Sequence, residues 1–217
     1  MTTQPPPAAP PPSLRERKKL RARRELVETA LRLFLEHGFE ATTLDQLVEA
    51  AELSKRTFFR MFPSKEAVAL AAETELWDAY LAHLDRQEFR GRVLDTLRRS
   101  LTETVAARDD AWTRRFFATQ DLAARTPALR DRSDLTSLTV QRRLVGVLEA
   151  RLGVDSRTDV RLRLLGELAL AAWRCAARNW IRSGPRGAPG RDGLAALLHE
   201  VEEAFDAVPD SVALSAP

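Results

Sequence analysis

Four consecutive residues, Ser54-Lys55-Arg56-Thr57, carry the most specific chemistry in this 217-residue chain. Two hydroxyls and two cations at the start of a short helix suit phosphate oxygens and base edges, because an α-helix fits the major groove and presents its N-terminal residues there. Phe58, Phe59 and Phe62 follow. Phe58 and Phe62 lie four residues apart, on one face, and are read as core. Lys55 and Arg56 can each read guanine or bind phosphate, and the sequence leaves both open. Thr57 and Arg60 are expected to meet the backbone. Thr43 and Lys65 open neighbouring helices, whose free N–H groups favour a phosphate.

A second cationic cluster lies upstream. From Arg15 to Arg24 there are seven basic residues and one acid. Residues 1–62 hold 11 Lys/Arg against 8 Asp/Glu, whereas 63–217 hold 23 of each, so the whole excess of +3 sits near the N-terminus. Arg17, Lys18, Lys19 and Arg21 would give salt-sensitive affinity for DNA without choosing a sequence. The plainer reading is a solvated tail.

Other chemistries find little support. His37, His83 and His199 stand far apart, and the single Cys175 allows neither an internal disulfide nor a Cys/His metal cluster. No P-loop, GxGxxG, HExxH or GxSxG motif occurs. No enzyme, cofactor or metal site is expected, and a helical enzyme or scaffold with an incidental basic N-terminus is the rival reading. No apolar run reaches the roughly 18 residues that cross a bilayer. The Pro-rich start has no apolar h-region, so a cytoplasmic, soluble protein without a signal peptide is expected.

The elements that must position these residues are helices. Apolar residues are 44 % and charged residues 30 % of the chain, and no stretch alternates with period two. A Pro-rich tail is expected over 1–13. A first helix should begin near Leu14 or Arg17 and end at His37, with Gly38 past its end. Thr43 and Gln46 form a capping box for the second helix. Ala51 to Ser54 make the turn, and Pro63 ends the third helix. Ser64 should cap a long fourth helix over 65–85. Later helices are expected near 92–107, 112–125, 128–152, 158–182 and 191–207, with a turn over 183–190 and a flexible tail over 209–217. The chain reads as all-α: a helix-turn-helix head over 14–63 and a helical body over 64–208, with about nine helices.

The strings ALRLF at 30–34, HGFEATTLDQL at 37–47 and LSKRTFFRMFPSKEAV at 53–68, with their spacing, resemble the TetR family of transcriptional regulators. The resemblance implies double-stranded DNA as a partner, a homodimer on a near-palindromic operator, repression, and release by a small hydrophobic or amphipathic effector. TPALRDRSDLTSL with the later ARLGV is similar to the subgroup with an acyl-CoA-like ligand domain, which includes mycofactocin-system regulators.

Three residues depart from the family pattern. Glu52 stands where the turn commonly has Gly. Phe59 replaces a Tyr that commonly contacts phosphate, so this position keeps a place on the DNA face without the hydroxyl. Met61 replaces a His or Tyr. By the resemblance, effector contacts fall to Trp77, Tyr80, Leu81, Trp112, Phe116, Phe117, Leu138 and Trp173, with Arg114, Arg115, Arg130 and Arg142 available to an anionic group. Plain core is the competing reading for the aromatics. The last two long helices would pair across the dimer axis through Leu164, Leu168, Ala172, Cys175, Leu197 and Val201.

Overall fold

The computed structural model describes residues 13–183 and 193–215. The Pro-rich stretch before Ser13 and most of the expected 183–190 turn lie outside the described residues. The described residues form ten helices and no strand: α1 Leu14–His37, α2 Leu44–Ala50, α3 Lys55–Met61, α4 Lys65–Ala69, α5 Ala71–Leu84, α6 Val93–Ala106, α7 Asp110–Arg125, α8 Pro127–Leu152, α9 Val160–Ser183 and α10 Gly193–Val212. The all-α expectation holds.

Local signals account for most helix starts. Ser13 and Glu16 cap α1 reciprocally: the Glu16 N–H donates to Ser13 Oγ (3.2 Å), and the Ser13 N–H donates to Glu16 Oε2 (2.7 Å). The basic segment is therefore helical from Leu14, continuous with the buried part of α1. Thr43 and Gln46 repeat the arrangement at α2, and the Ser64 hydroxyl accepts from the Ala67 N–H at α4. Gly153 ends α8 in the left-handed conformation (φ 66°, ψ 29°), which costs glycine no steric penalty.

Two expectations need correction. The helix expected over 65–85 is broken at Leu70 (φ −96°, ψ 14°). Side chains of α7 meet both sides of the break: Thr119 Oγ1 donates to the Ala69 carbonyl before it (2.8 Å) and Trp112 Nε1 to the Ala72 carbonyl after it (3.1 Å). The expected flexible tail from 209 is helical to Val212, with Pro209 inside α10, and the Ser211 hydroxyl donates to the Ala207 carbonyl (2.7 Å) in its last turn.

The core divides into two clusters. One joins α5 to α10 around Trp77, Tyr80, Phe116, Trp173, Trp180 and Phe205. The other gathers Leu26, Phe34, Leu47, Phe58 and Phe62 from the first three helices with Val68 to Ala71, and is completed by Leu122 and Ala123 of α7 and Leu129 of α8. The head's apolar core thus crosses the boundary expected at Pro63 and is closed by two helices of the body.

Candidate functional site

The turn between α2 and α3 is built from backbone hydrogen bonds, Glu52 N–H to Glu49 O (3.0 Å) and Leu53 N–H to Val48 O (2.8 Å). It requires a positive φ, and Glu52 supplies it at 52°. A side chain in that region costs on the order of 1 kcal/mol. Glu52→Gly is expected to stabilise the fold by about 1 kcal/mol in urea unfolding; a loss of stability would show that the Glu52 side chain contributes more than its backbone costs.

Ser54 caps α3, its Oγ accepting from the Thr57 N–H (3.1 Å) and donating to Thr57 Oγ1 (3.0 Å). The hydroxyls expected on the DNA face are thus partly committed to the cap. Lys55 Nζ lies 2.6 Å from Asp45 of α2, and both side chains are more than half exposed. Such a pair is worth at most about 1 kcal/mol and yields readily to a phosphate. Arg56 and Arg60, four apart, are exposed and form no ion pair among the described residues. Phe59 is 52 % exposed on the same helix, whereas Phe58 and Phe62 are fully buried. One face of α3 is thus cationic and open, and the other is anchored.

Two cations have roles the sequence did not reveal. Lys65 is half-buried. Nζ donates to the carbonyls of Phe39 (2.7 Å) and Thr42 (3.0 Å) and lies 4.2 Å from the centre of the Phe39 ring, so it fastens the α1–α2 loop to α4. Two of its ammonium donors are thereby engaged within the head. Arg23 donates to the Met61 carbonyl and stacks 3.6 Å over the Phe62 ring. It clamps the end of α3 to α1. Arg17, Lys18, Lys19 and Arg21 are exposed along the start of α1, and Arg21 pairs with Glu25 (2.8 Å).

In the body, most of the expected effector residues fill space. Trp77, Tyr80, Leu81, Trp112, Phe116 and Phe117 are buried in one packed cluster. Trp112 stacks on Phe116 with ring centres 4.8 Å apart, and Phe116 meets Trp173 at 5.6 Å and Trp180 at 5.9 Å. Leu138 is 52 % exposed on α8 and faces away from them. Spacing revealed the apolar face, but aromatic rings at that spacing closed on each other.

The open space lies beside this stack. A cavity of about 490 Å³ sits between α5, α7, α8 and α9, within the range of small-molecule sites. Trp173, Ala123, Ala177 and Ile181 supply its apolar wall, and Arg130, Arg174, Arg178 and Arg182 its cations. Glu73 and Asp134 are its acids. Trp173 is the expected effector residue that borders it, and Arg130 the expected cation. Arg114 and Arg115 face a groove against α1 instead, with Arg115 bridging Glu28 (3.4 Å) and Glu75 (3.5 Å), while Arg142 is exposed on α8.

Glu73 was not singled out by sequence. Its carboxylate is buried and accepts from the Ser133 hydroxyl at 2.9 Å on both oxygens. Burial pushes it up to about 7, against the hydrogen bond from Ser133. A helical pattern could have found it, because Glu73 precedes Leu76 and Trp77 by three and four residues and so falls on the buried face of α5.

Of the residues expected between subunits, Leu164 (52 %) and Cys175 are exposed on α9, and Leu168 is half-buried. Leu197 and Val201 are fully buried in the chain's own core, and Ala172 nearly so. These three offer little or no surface to a second copy.

The α2–turn–α3 geometry coincides with the region matched by a family signature. Residues 26–72 match that of bacterial regulatory proteins of the tetR family. The chain is 36 % identical over 175 residues to the HTH-type transcriptional regulator TcmR of Streptomyces glaucescens, spanning 77 % of this chain and 76 % of that one. It is 26 % identical over 188 residues to MftR of Mycobacterium tuberculosis, a protein assigned to the regulation of mycofactocin biosynthesis, covering 83 % and 86 % of the two chains. Among solved structures it is similar to Thermus thermophilus FadR, a TetR-family transcriptional repressor in complex with lauroyl-CoA, with a TM-score of 0.51 and 25 % identity over 90 % of this chain and 97 % of that one. These relatives are regulators, not enzymes. The chain belongs to the TetR family of bacterial transcriptional regulators.

Proposed function

We propose that this regulator is a repressor that binds a near-palindromic operator as a homodimer in the cytoplasm and leaves it when an amphipathic effector enters the cavity between α5, α7, α8 and α9. One observation carries the reading. Ala123 of α7 lines that cavity and is also part of the head's core. A ligand that fills the cavity therefore presses on the packing that fixes α3, and can favour one placement of the head over another. Arg56, Arg60 and Lys55 read or grip the DNA from α3, with Ser54, Thr57 and Phe59 beside them. The exposed α9 stripe of Leu164 and Cys175 meets its counterpart across the two-fold axis. The lauroyl-CoA bound in FadR and the likeness to MftR support acyl-CoA thioesters as the first effectors to try.

The test is a gel-shift titration on the DNA flanking the gene, repeated across salt concentrations. Replacing Arg17, Lys18 and Lys19 together with alanine should reduce the slope of log affinity against log salt by about 2 to 3, since each phosphate contact contributes roughly 0.9. The preferred DNA sequence should not change. An unchanged slope would remove the arm from the interface, and no shifted fragment at all would count against a local operator.

A further inference from the structure

Taking the effector cavity of the proposed function as the ligand site, we infer that its ligand is an organic anion carrying a hydroxyl group, with the hydroxyl donating to Glu73 and the anionic group held by the arginines of the same lining. Glu73 is 3 % exposed, and its carboxylate borders the cavity. No Lys, Arg or His nitrogen pairs with it among the described residues; the Ser133 hydroxyl donates to both oxygens, and the Trp77 and Gln120 side chains lie close enough to add weaker hydrogen bonds. A carboxylate has about four acceptor positions. Three donors leave Glu73 room for about one more, in surroundings where an unmatched acceptor is costly.

The remaining lining sets the rest of the ligand. Arg130, Arg174, Arg178 and Arg182 share the lining with Glu73 and Asp134, four positive charges against two negative, a net of +2 with both acids ionised. Such a field favours an anion and opposes a cation, which excludes a simple amine as the partner of Glu73. A neutral hydroxyl satisfies the carboxylate without adding positive charge. Trp173, Ala177 and Ile181 supply apolar surface to the same cavity. The ligand is thus amphipathic, with an apolar part, one donor and one anionic group.

The test uses calorimetric titration of the full-length protein at pH 8, where Glu73 is ionised, with two matched pairs of acids, decanoate with ω-hydroxydecanoate and naphthoate with hydroxynaphthoate. The hydroxylated member of at least one pair should bind about ten-fold or more tightly, as expected for a hydrogen bond to a charged acceptor. Glu73→Leu should abolish that preference, and Arg178→Ala should weaken both members of the pair alike. Glu73→Gln, which keeps volume and weakens the acceptor, should reduce the preference several-fold, and serves if Glu73→Leu does not fold. Equal binding of both members, or a preference that survives the Glu73 variants, overturns the hydroxyl assignment and leaves the cavity as effector site. No binding by any of the four acids overturns both.

Discussion

Phe58→Ala is expected to remove about 3–5 kcal/mol from the head and to abolish operator binding. Phe58 is fully buried beneath α3 and packs against Phe62, with ring centres 6.4 Å apart. The seven residues of α3 are too few to hold a helix in water without tertiary packing. With the anchor gone, the cationic face has no fixed direction. The measurement can separate head from body. All four tryptophans, Trp77, Trp112, Trp173 and Trp180, lie in the body cluster. Tryptophan fluorescence therefore follows the body, while far-UV circular dichroism follows every helix. The dichroism transition in urea should split, with an early phase that fluorescence does not report. If both signals instead shift together, the head and body unfold as one unit through Leu122, Ala123 and Leu129.

The second large effect concerns Glu73 and depends on pH. Its carboxyl is raised from 4.5 to about 7 in the folded protein, chiefly by burial. A carboxyl raised in this way favours the folded state only while protonated. Below about pH 4.5 it is neutral in both states and costs nothing. As pH rises toward 7 the unfolded chain ionises first, and the folded protein loses stability. The displacement corresponds to about 3 kcal/mol, fully lost above pH 7. Glu73→Gln should therefore be more stable than the natural chain by about 2–3 kcal/mol at pH 8 and indistinguishable from it near pH 4. Paired urea unfolding curves at the two pH values check this. A constant difference between the variants at both would mean that Glu73 does not titrate in this window.

What the sequence made legible follows from how local each cause is. The caps at Thr43 and Ser64, the turn at Glu52 and the division of α3 between Arg56 and Phe58 depend on residues within four positions of one another. The break at Leu70 does not. Val68 to Ala72 carry no glycine or proline, and what marks the interruption is a distant partner: the Ala69 carbonyl accepts from Thr119, 50 residues away. Most of the residues expected to contact an effector lie in packed core for a related reason. A search for apolar periodicity selects large rings, and large rings pack. The cavity remains where Ala123 and Ala177 are too small to close the gap and where Glu73 and the arginines resist being packed. The burial of Leu197 and Val201 likewise depends on which face of α10 meets α6 and α9, which spacing alone does not fix.

Arg23 and Glu28 lie on one unbroken helix, α1, and tie it to α3 and to Arg115 of the body respectively. A continuous helix is stiff, so any tilt of α1 about the Arg115 contact would grow toward its N-terminus. Arg17 lies three turns before Glu28, about 16 Å at 1.5 Å per residue. A tilt of about 5° would carry Arg17 by roughly 1.4 Å, more than a hydrogen bond to a phosphate tolerates. A displacement of α7 passed on in this way would be magnified at the far tip of α1, and the Arg23 contacts to Met61 and Phe62 would carry the end of α3 with it.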